Sequence, residues 1–202
     1  GYSGEYLGLT GKVLIGTQAL AADLADRAIN SDNLKDYWDS LTNNEMMTVD
    51  QRISRLHSVI DSAKLEEDDS WLSPEIDGTF NFDSPTEIMQ SLDNSGSPWA
   101  MGTLEVLQKR SPLMLHVSLR QIRLGRHMSL ADELRLERTL VQHCFYTHHL
   151  KRTGAQTETV EGIRALVIDK DHNPAWNPTR IQSVTSEMVD PFFVSPWAET
   201  DH

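Results

Sequence analysis

A mostly α-helical fold is what this 202-residue sequence predicts. Three observations carry the prediction. Apolar residues recur at intervals of three and four along most of the chain. Serine followed by proline opens three segments in succession, at Ser84-Pro85, Ser97-Pro98 and Ser111-Pro112. The Ser side chain accepts from a free N–H of the first turn, and Pro lacks an N–H that would be orphaned there, so each pair marks a helix start. No stretch alternates convincingly at period two, so little β-sheet is expected within the chain.

The elements follow in order. Gly1, Gly4 and Gly11 punctuate a short helical turn carrying Tyr6, Leu7 and Leu9. Thr17 is placed to cap a helix through Ala19 to Ala28, broken by Asn30-Ser31-Asp32. Leu34, Tyr37, Trp38 and Leu41 then recur at helical spacing. Thr48 or Asp50 caps a helix with Ile53, Leu56, Val59 and Ile60 on one side. Ser84-Pro85-Thr86-Glu87 has the form of a capping box. A second helix covers Trp99 to Lys109, and a third runs from Pro112 to about Leu124 with Leu115, Leu119 and Ile122 as its stripe. Gly125 is placed to end it in a left-handed cap. Ser129 caps the longest helix, LADELRLERTLVQHCFYTHHL, with Leu130, Leu134, Leu140, Val141 and Cys144 as its expected buried side. After a polar insert, Lys151 to Thr157, Thr159 caps the last clear helix. The expected organisation is 1–42, a variable 43–83, and 84–202.

The formal charge is −12, which argues against a general nucleic-acid binder, because phosphate needs positive charge. No apolar run approaches the roughly 20 residues of a membrane span, and no membrane partner is expected. Cys144 is the sole cysteine, so no internal disulfide forms and a reducing compartment is expected. The chain opens GYSGEYLGLTGK, without Met or a basic leader, and reads like the middle of a fold.

Familiar catalytic signatures are absent: no Gly-x-Gly-x-x-Gly, P-loop, Gly-x-Ser-x-Gly or His-Glu-x-x-His. His143, His148 and His149 do not share a helical face and read as a polar helix end. Residues 61–84 hold eight carboxylates against Lys64 alone, with no calcium-loop spacing, and read as a solvated loop. The charge anomaly is Val106 to Ala131, which contains Lys109, Arg110, Arg120, Arg123 and Arg126 and no Asp or Glu. This face suits a phosphate-bearing ligand or an RNA backbone, or else pairs with the acidic segment 61–84.

The stretch EGIRALVIDKDHNPAWNP, 161–178, reads as a helix that ends in two Asn-Pro turns with Trp176 as an apolar anchor. Ile163, Leu166 and Val167 form its stripe, with Arg164 on another face. Lys170 at the helix end meets either the exposed carbonyls or a ligand phosphate.

That stretch, together with SPLMLHVSLRQIRLGRHMSLADELRLERTLVQHC at 111–144, resembles the C-terminal part of the 3-hydroxyisobutyryl-CoA hydrolases of the crotonase (enoyl-CoA hydratase/isomerase) superfamily. GEYLGLTGKVLIGTQALAADLADRAI at 4–29 and VTSEMVDPFF at 184–193 are similar to flanking parts of that family. The fold class the resemblance implies is the C-terminal helical part of a crotonase-type α/β fold, with the spiral β-sheet core largely outside this chain. The implied function is the C-terminal half of a mitochondrial acyl-CoA thioester hydrolase of valine breakdown. Coenzyme A thioester is then the substrate, no cofactor is bound covalently, and the N-terminal crotonase half, on the same or a separate chain, is the partner. The family's oxyanion-hole amides and catalytic carboxylates match nothing in these residues, so no catalytic residue is assigned. Lys170, and more weakly Arg164, fall where the resemblance places contacts to CoA phosphates. The sequence departs from the family at Glu158-Thr159-Val160, usually Asp-Phe-x, and in a longer link from Cys144 to Glu161. The alternative is a non-catalytic structural subunit of the small mitochondrial ribosomal subunit, in contact with ribosomal proteins and rRNA. An independent helical adaptor is a third reading.

Overall fold

The computed structural model describes residues 1–42, 47–61 and 68–197. It divides into two compact units, Val13–Ser73 and a larger one formed by Gly1–Lys12 with Pro74–His202. In the smaller unit, α2 (Gly16–Ala21), α3 (Leu34–Thr42) and α4 (Val49–Asp61) follow in order. The larger unit holds α1 (Ser3–Thr10), α5 (Glu75–Phe80), α6 (Pro85–Ser95), α7 (Pro98–Gln108), α8 (Pro112–Gly125), α9 (Leu130–Phe145), α10 (Glu158–Ile163) and α11 (Ser186–Val189).

The expected fold class, part of an α/β body, is corrected. Among the described residues there is no strand, and helices alone enclose the buried side chains of the larger unit. Leu113 and Val117 of α8 meet Leu136 and Leu140 of α9, and Val189 and Phe192 close this cluster from the C-terminal segment. A second cluster joins α1, α5 and α7, where the Tyr6 ring stands edge-on to Phe80 at 5.4 Å and lies 5.7 Å from Trp99. Helix α1 can lie close on α8 because Gly8 has no side chain. A Cβ there would sit 2.5 Å from Cδ1 of Ile122.

The serine caps form as local chemistry dictates. Ser84 Oγ accepts from Glu87 N at 3.2 Å, while the Glu87 carboxylate accepts from Ser84 N at 3.0 Å. Ser97, Ser111 and Ser129 accept from Ala100 N, Met114 N and Asp132 N. Thr48 accepts from Gln51 N at the start of α4.

Several expectations are corrected. The helix expected over Ala19–Ala28 stops after Ala21, since Asp23 turns left-handed with φ 54°. The acidic stretch is not all loop: Glu75–Phe80 is helical because Ile76 and Phe80 reach the core. Residues 62–67 of that stretch, and 43–46 of the expected variable segment, lie outside the described residues. Gly125 is helical, and Arg126 follows it with φ −56° rather than a left-handed cap. Helix α9 ends at Phe145, not Leu150. Its buried side is Leu136, Thr139 and Leu140, whereas Leu130, Leu134 and Val141 are exposed. Among the described residues no helix is long and apolar enough to cross a membrane.

Candidate functional site

Thr157, not Thr159, caps α10: its hydroxyl accepts from Val160 N at 3.4 Å. The helix then widens over Arg164–Ile168 into a π-type turn, closed by Asp169 N donating to Arg164 O at 2.8 Å. Such widened turns recur at functional sites. Lys170 and His172 follow with φ 55° and 51°, both left-handed. Each such residue costs roughly 1–2 kcal/mol, so the turn needs strong fixings.

Arg164 supplies them. Its Nε and Nη2 donate to the two oxygens of Glu161 at 2.9 and 2.8 Å. Its Nη1 donates to Asp169 at 2.6 Å and Asp171 at 2.7 Å, and its Nη2 also donates to Asn173 O at 3.1 Å. A guanidinium has five N–H donors, and these contacts use all of them. Glu161, then Asp171 and Asp169, hold Arg164 firmly charged. In return the guanidinium draws the Glu161 and Asp171 carboxyls below their ordinary range. Glu161 also accepts from Ala175 N at 2.6 Å, tying the first Asn-Pro step to the helix. A ligand phosphate can therefore use Arg164 only by displacing one of these acceptors.

Lys170 differs. It is exposed, and among the described residues no partner holds its ammonium. Ile163, Leu166, Val167 and Ile168 precede it and are exposed as well, at 42%, 62%, 59% and 67%. The expected apolar stripe thus exists but faces outward, and it ends in a cation that is unpaired among the described residues.

Beneath the turn lies a second layer. Glu158 is buried and accepts from the Ser111 hydroxyl at the start of α8 and from Asn177 N at 3.0 Å. Arg152 stands 3.6 Å from the same carboxylate and donates to Asn177 O. Burial pushes the Glu158 carboxyl up, an effect the Ser111 bond, the Asn177 amide and Arg152 partly offset. Trp176 is half-buried rather than a fully buried anchor. Its indole N–H donates to Lys109 O at 3.0 Å, and its ring passes so close to Gly162 that a Cβ there would lie 3.3 Å away. A cavity of about 350 Å³ opens beside Ser111, Met114, Glu158, Thr159 and Trp176.

The basic face is largely answered from within the chain. Lys109 pairs with Glu105 at 2.8 Å, and Arg110 donates to Thr10 O. Arg120 pairs with Asp190 at 2.6 Å and lies over the Phe193 ring. Arg123 pairs with Asp83 at 3.1 Å and donates to Phe80 O and Phe82 O. Arg126 meets the fully buried Glu5 at 2.7 Å and Gly1 O at 3.0 Å. Each cation serves as a clamp between α8 and its neighbours, apart from the local Lys109 pair. His143 and His149 donate from Nε2 to Val194 O and Met188 O, each at 2.9 Å, since a carbonyl can only accept. Cys144 is half-buried, and burial pushes its thiol up.

The sequence placed Arg164 and Lys170 together but missed Glu5, Arg152 and the burial of Glu158. Glu5 carries no local signal, because its partner is 121 residues away. Glu158 carried one: it stands where the resemblance already departed.

The geometry can be set beside known proteins. The Enoyl-CoA hydratase/isomerase family model matches residues 1–193. The chain is 33% identical over 197 residues to the mitochondrial 3-hydroxyisobutyryl-CoA hydrolase of Gallus gallus, covering 96% of this chain and 49% of that protein. It is 34% identical to the probable 3-hydroxyisobutyryl-CoA hydrolase 2 of Arabidopsis thaliana, covering 96% and 51%. Among solved structures, an enoyl-CoA hydratase from Rhodobacter sphaeroides aligns with TM-score 0.71 at 26% identity, over 95% of this chain and 51% of that one. A carnitinyl-CoA dehydratase from Mycobacterium thermoresistibile shares the fold with TM-score 0.70, over 94% and 50%. The ribosomal alternative draws no support from these relatives. The chain spans about half the length of the curated relatives it matches, and it belongs to the enoyl-CoA hydratase/isomerase family.

Proposed function

We propose that this chain is the C-terminal helical half of an acyl-CoA thioester hydrolase acting on 3-hydroxyisobutyryl-CoA in mitochondria. The observation that carries the reading is the match to hydrolases of that name along 96% of the chain. The role assigned to these residues is binding and not bond cleavage. Lys170 meets a coenzyme A phosphate, and the exposed apolar side chains Ile163, Leu166, Val167 and Ile168 lie toward the acyl-pantetheine end. Three features support this assignment. The Lys170 ammonium has no partner among the described residues. Its backbone is fixed by the Arg164 hub. The side chains before it are apolar and exposed. A lysine is suited to a phosphate because it acts as a point charge without needing a planar partner.

The test is thiol release from 3-hydroxyisobutyryl-CoA by the purified protein that carries this chain, followed by Lys170→Glu. The expected result is turnover, with KM raised about tenfold and kcat little changed, since a remote phosphate contact is uniform binding. Absence of turnover rejects the hydrolase reading. Turnover with an unchanged KM in Lys170→Glu rejects the phosphate contact alone.

A further inference from the structure

Arg110 differs from the other cations of the basic face. Lys109, Arg120, Arg123 and Arg126 each meet a carboxylate. Arg110 gives one N–H to Thr10 O at the end of α1. A guanidinium has five N–H donors, so four are left without an acceptor among the described residues. Lys12, two residues beyond Thr10, is a second such cation. It is exposed, and among the described residues no partner holds its ammonium.

Lys12 and Arg110 share one cavity of about 480 Å³ beside α1 and α7. No Asp or Glu is among the residues that line it, in a chain whose formal charge is −12. Glu105, on the same helix α7, is taken by Lys109. A cleft lined by one sign of charge focuses the field and concentrates ions of the other sign. The remaining wall is mainly apolar. Tyr6 and Trp99 supply aromatic surface, with their rings 5.7 Å apart, and Thr103 supplies a hydroxyl. Gly102 keeps the α7 side open, since a Cβ there would meet nothing within 4 Å. Gly11 lets Arg110 lie against the end of α1. Its φ of 65° is left-handed, and a Cβ there would sit 3.2 Å from Arg110 Nη2.

We propose that this cavity binds an organic phosphate carried on a flat ring, of the size of a nucleoside monophosphate. Arg110 forks onto two phosphate oxygens, and Lys12 adds a point charge. A phosphomonoester carries roughly two negative charges at neutral pH, which match the two cations. The ring lies toward Trp99 and Tyr6. The volume falls within the roughly 300–1,000 Å³ of small-molecule sites. Lys170 does not line this cavity, and the proposal does not rest on the hydrolase reading.

Calorimetric titration of the purified protein that carries this chain tests it, with adenosine monophosphate, adenosine and inorganic phosphate as probes. Adenosine monophosphate is expected to bind at least about tenfold more tightly than either of the others. Lys12→Gln and Arg110→Gln each weaken it at least about tenfold. Gly102→Leu does the same with both cations in place, because the new side chain occupies the cavity, and Leu suits a helix better than Gly. Lys170→Glu leaves the affinity unchanged. Absence of adenosine monophosphate binding at millimolar concentration overturns the proposal. So does binding that either charge variant or Gly102→Leu leaves unchanged, or binding that Lys170→Glu abolishes, since the phosphate then sits at the other turn. Inorganic phosphate that binds as tightly as the nucleotide also overturns it, because the ring then adds nothing. Circular dichroism separates loss of the site from loss of fold, and where one variant unfolds the other two decide.

Discussion

Arg164 and Glu161 face each other in a two-pronged pair, Nε to one carboxylate oxygen at 2.9 Å and Nη2 to the other at 2.8 Å. They stand three residues apart on one turn, so the pair forms as soon as α10 does. Everything after it, from the π-type turn to Trp176, is built on that pair.

Arg164→Lys keeps the charge and removes the fork. One ammonium cannot reach both Glu161 oxygens, Asp169, Asp171 and Asn173 O together. The left-handed turn at Lys170 and His172 then loses its fixings. A lower Tm is expected, with faster amide exchange over 169–177 and little change in the α8–α9 core. Hydrogen exchange resolved by segment reads this directly. Unchanged protection in 169–177 would show that the hub does not hold the turn.

The same hub sets a pH dependence. Glu161 and Asp171 are held below their ordinary values by Arg164. Their contribution is complete above the unfolded carboxylate range, near pH 4, and is lost as pH falls through the depressed folded values. Thermal melts of wild type and Arg164→Gln between pH 6 and pH 2 should converge toward the acid end. Curves that stay parallel would exclude this linkage.

Glu158 runs the other way. Burial raises its carboxyl, so its contribution is complete below the unfolded value and is lost as pH rises through the raised folded value. Glu158→Gln keeps one oxygen to accept from Asn177 N, faces Ser111 Oγ with an N–H donor instead of an acceptor, and carries no charge to bury. It is expected to flatten the stability profile on the alkaline side of pH 4. Ser111→Ala removes both the α8 cap and a Glu158 partner and should cost about 1–2 kcal/mol. Denaturant melts of the two variants measure both effects.

The two faces of α9 give a contrast in energy. Leu140 is buried and Leu134 is 56% exposed. Leu140→Ala should cost about 2–4 kcal/mol, and Leu134→Ala under about 0.5 kcal/mol. Both are read by denaturant unfolding at high dilution. Comparable losses at the two positions would reverse the assignment of faces.

Trp176 is half-buried with one indole bond to Lys109 O. Trp176→Ala is expected to cost about 2 kcal/mol, below the roughly 3–5 kcal/mol of a fully buried aromatic. A loss under about 1 kcal/mol would show that the ring anchors nothing.

The sequence by itself determined where four successive helices, α6 to α9, begin. Ser84, Ser97, Ser111 and Ser129 each cap the helix they announce, because a cap bond spans only three residues and needs no distant partner. It also placed Arg164, Lys170 and Trp176 in one segment, a helix running into two Asn-Pro turns, since short spacing and two Asn-Pro steps leave the backbone few choices. The tertiary structure alone decided which apolar residues are inside. Leu130, Leu134 and Val141 carry the same periodic signal as Leu136 and Leu140, and helical spacing cannot tell a face that meets Phe192 from one that meets water. It alone decided between the readings left open for the basic stripe: Arg123 meets Asp83 of the acidic segment, 40 residues away, as one reading allowed, whereas Arg126 meets Glu5, 121 residues away, which no local signal announced. Periodicity and capping are local properties of a chain, whereas burial and charge pairing belong to whatever the fold brings alongside.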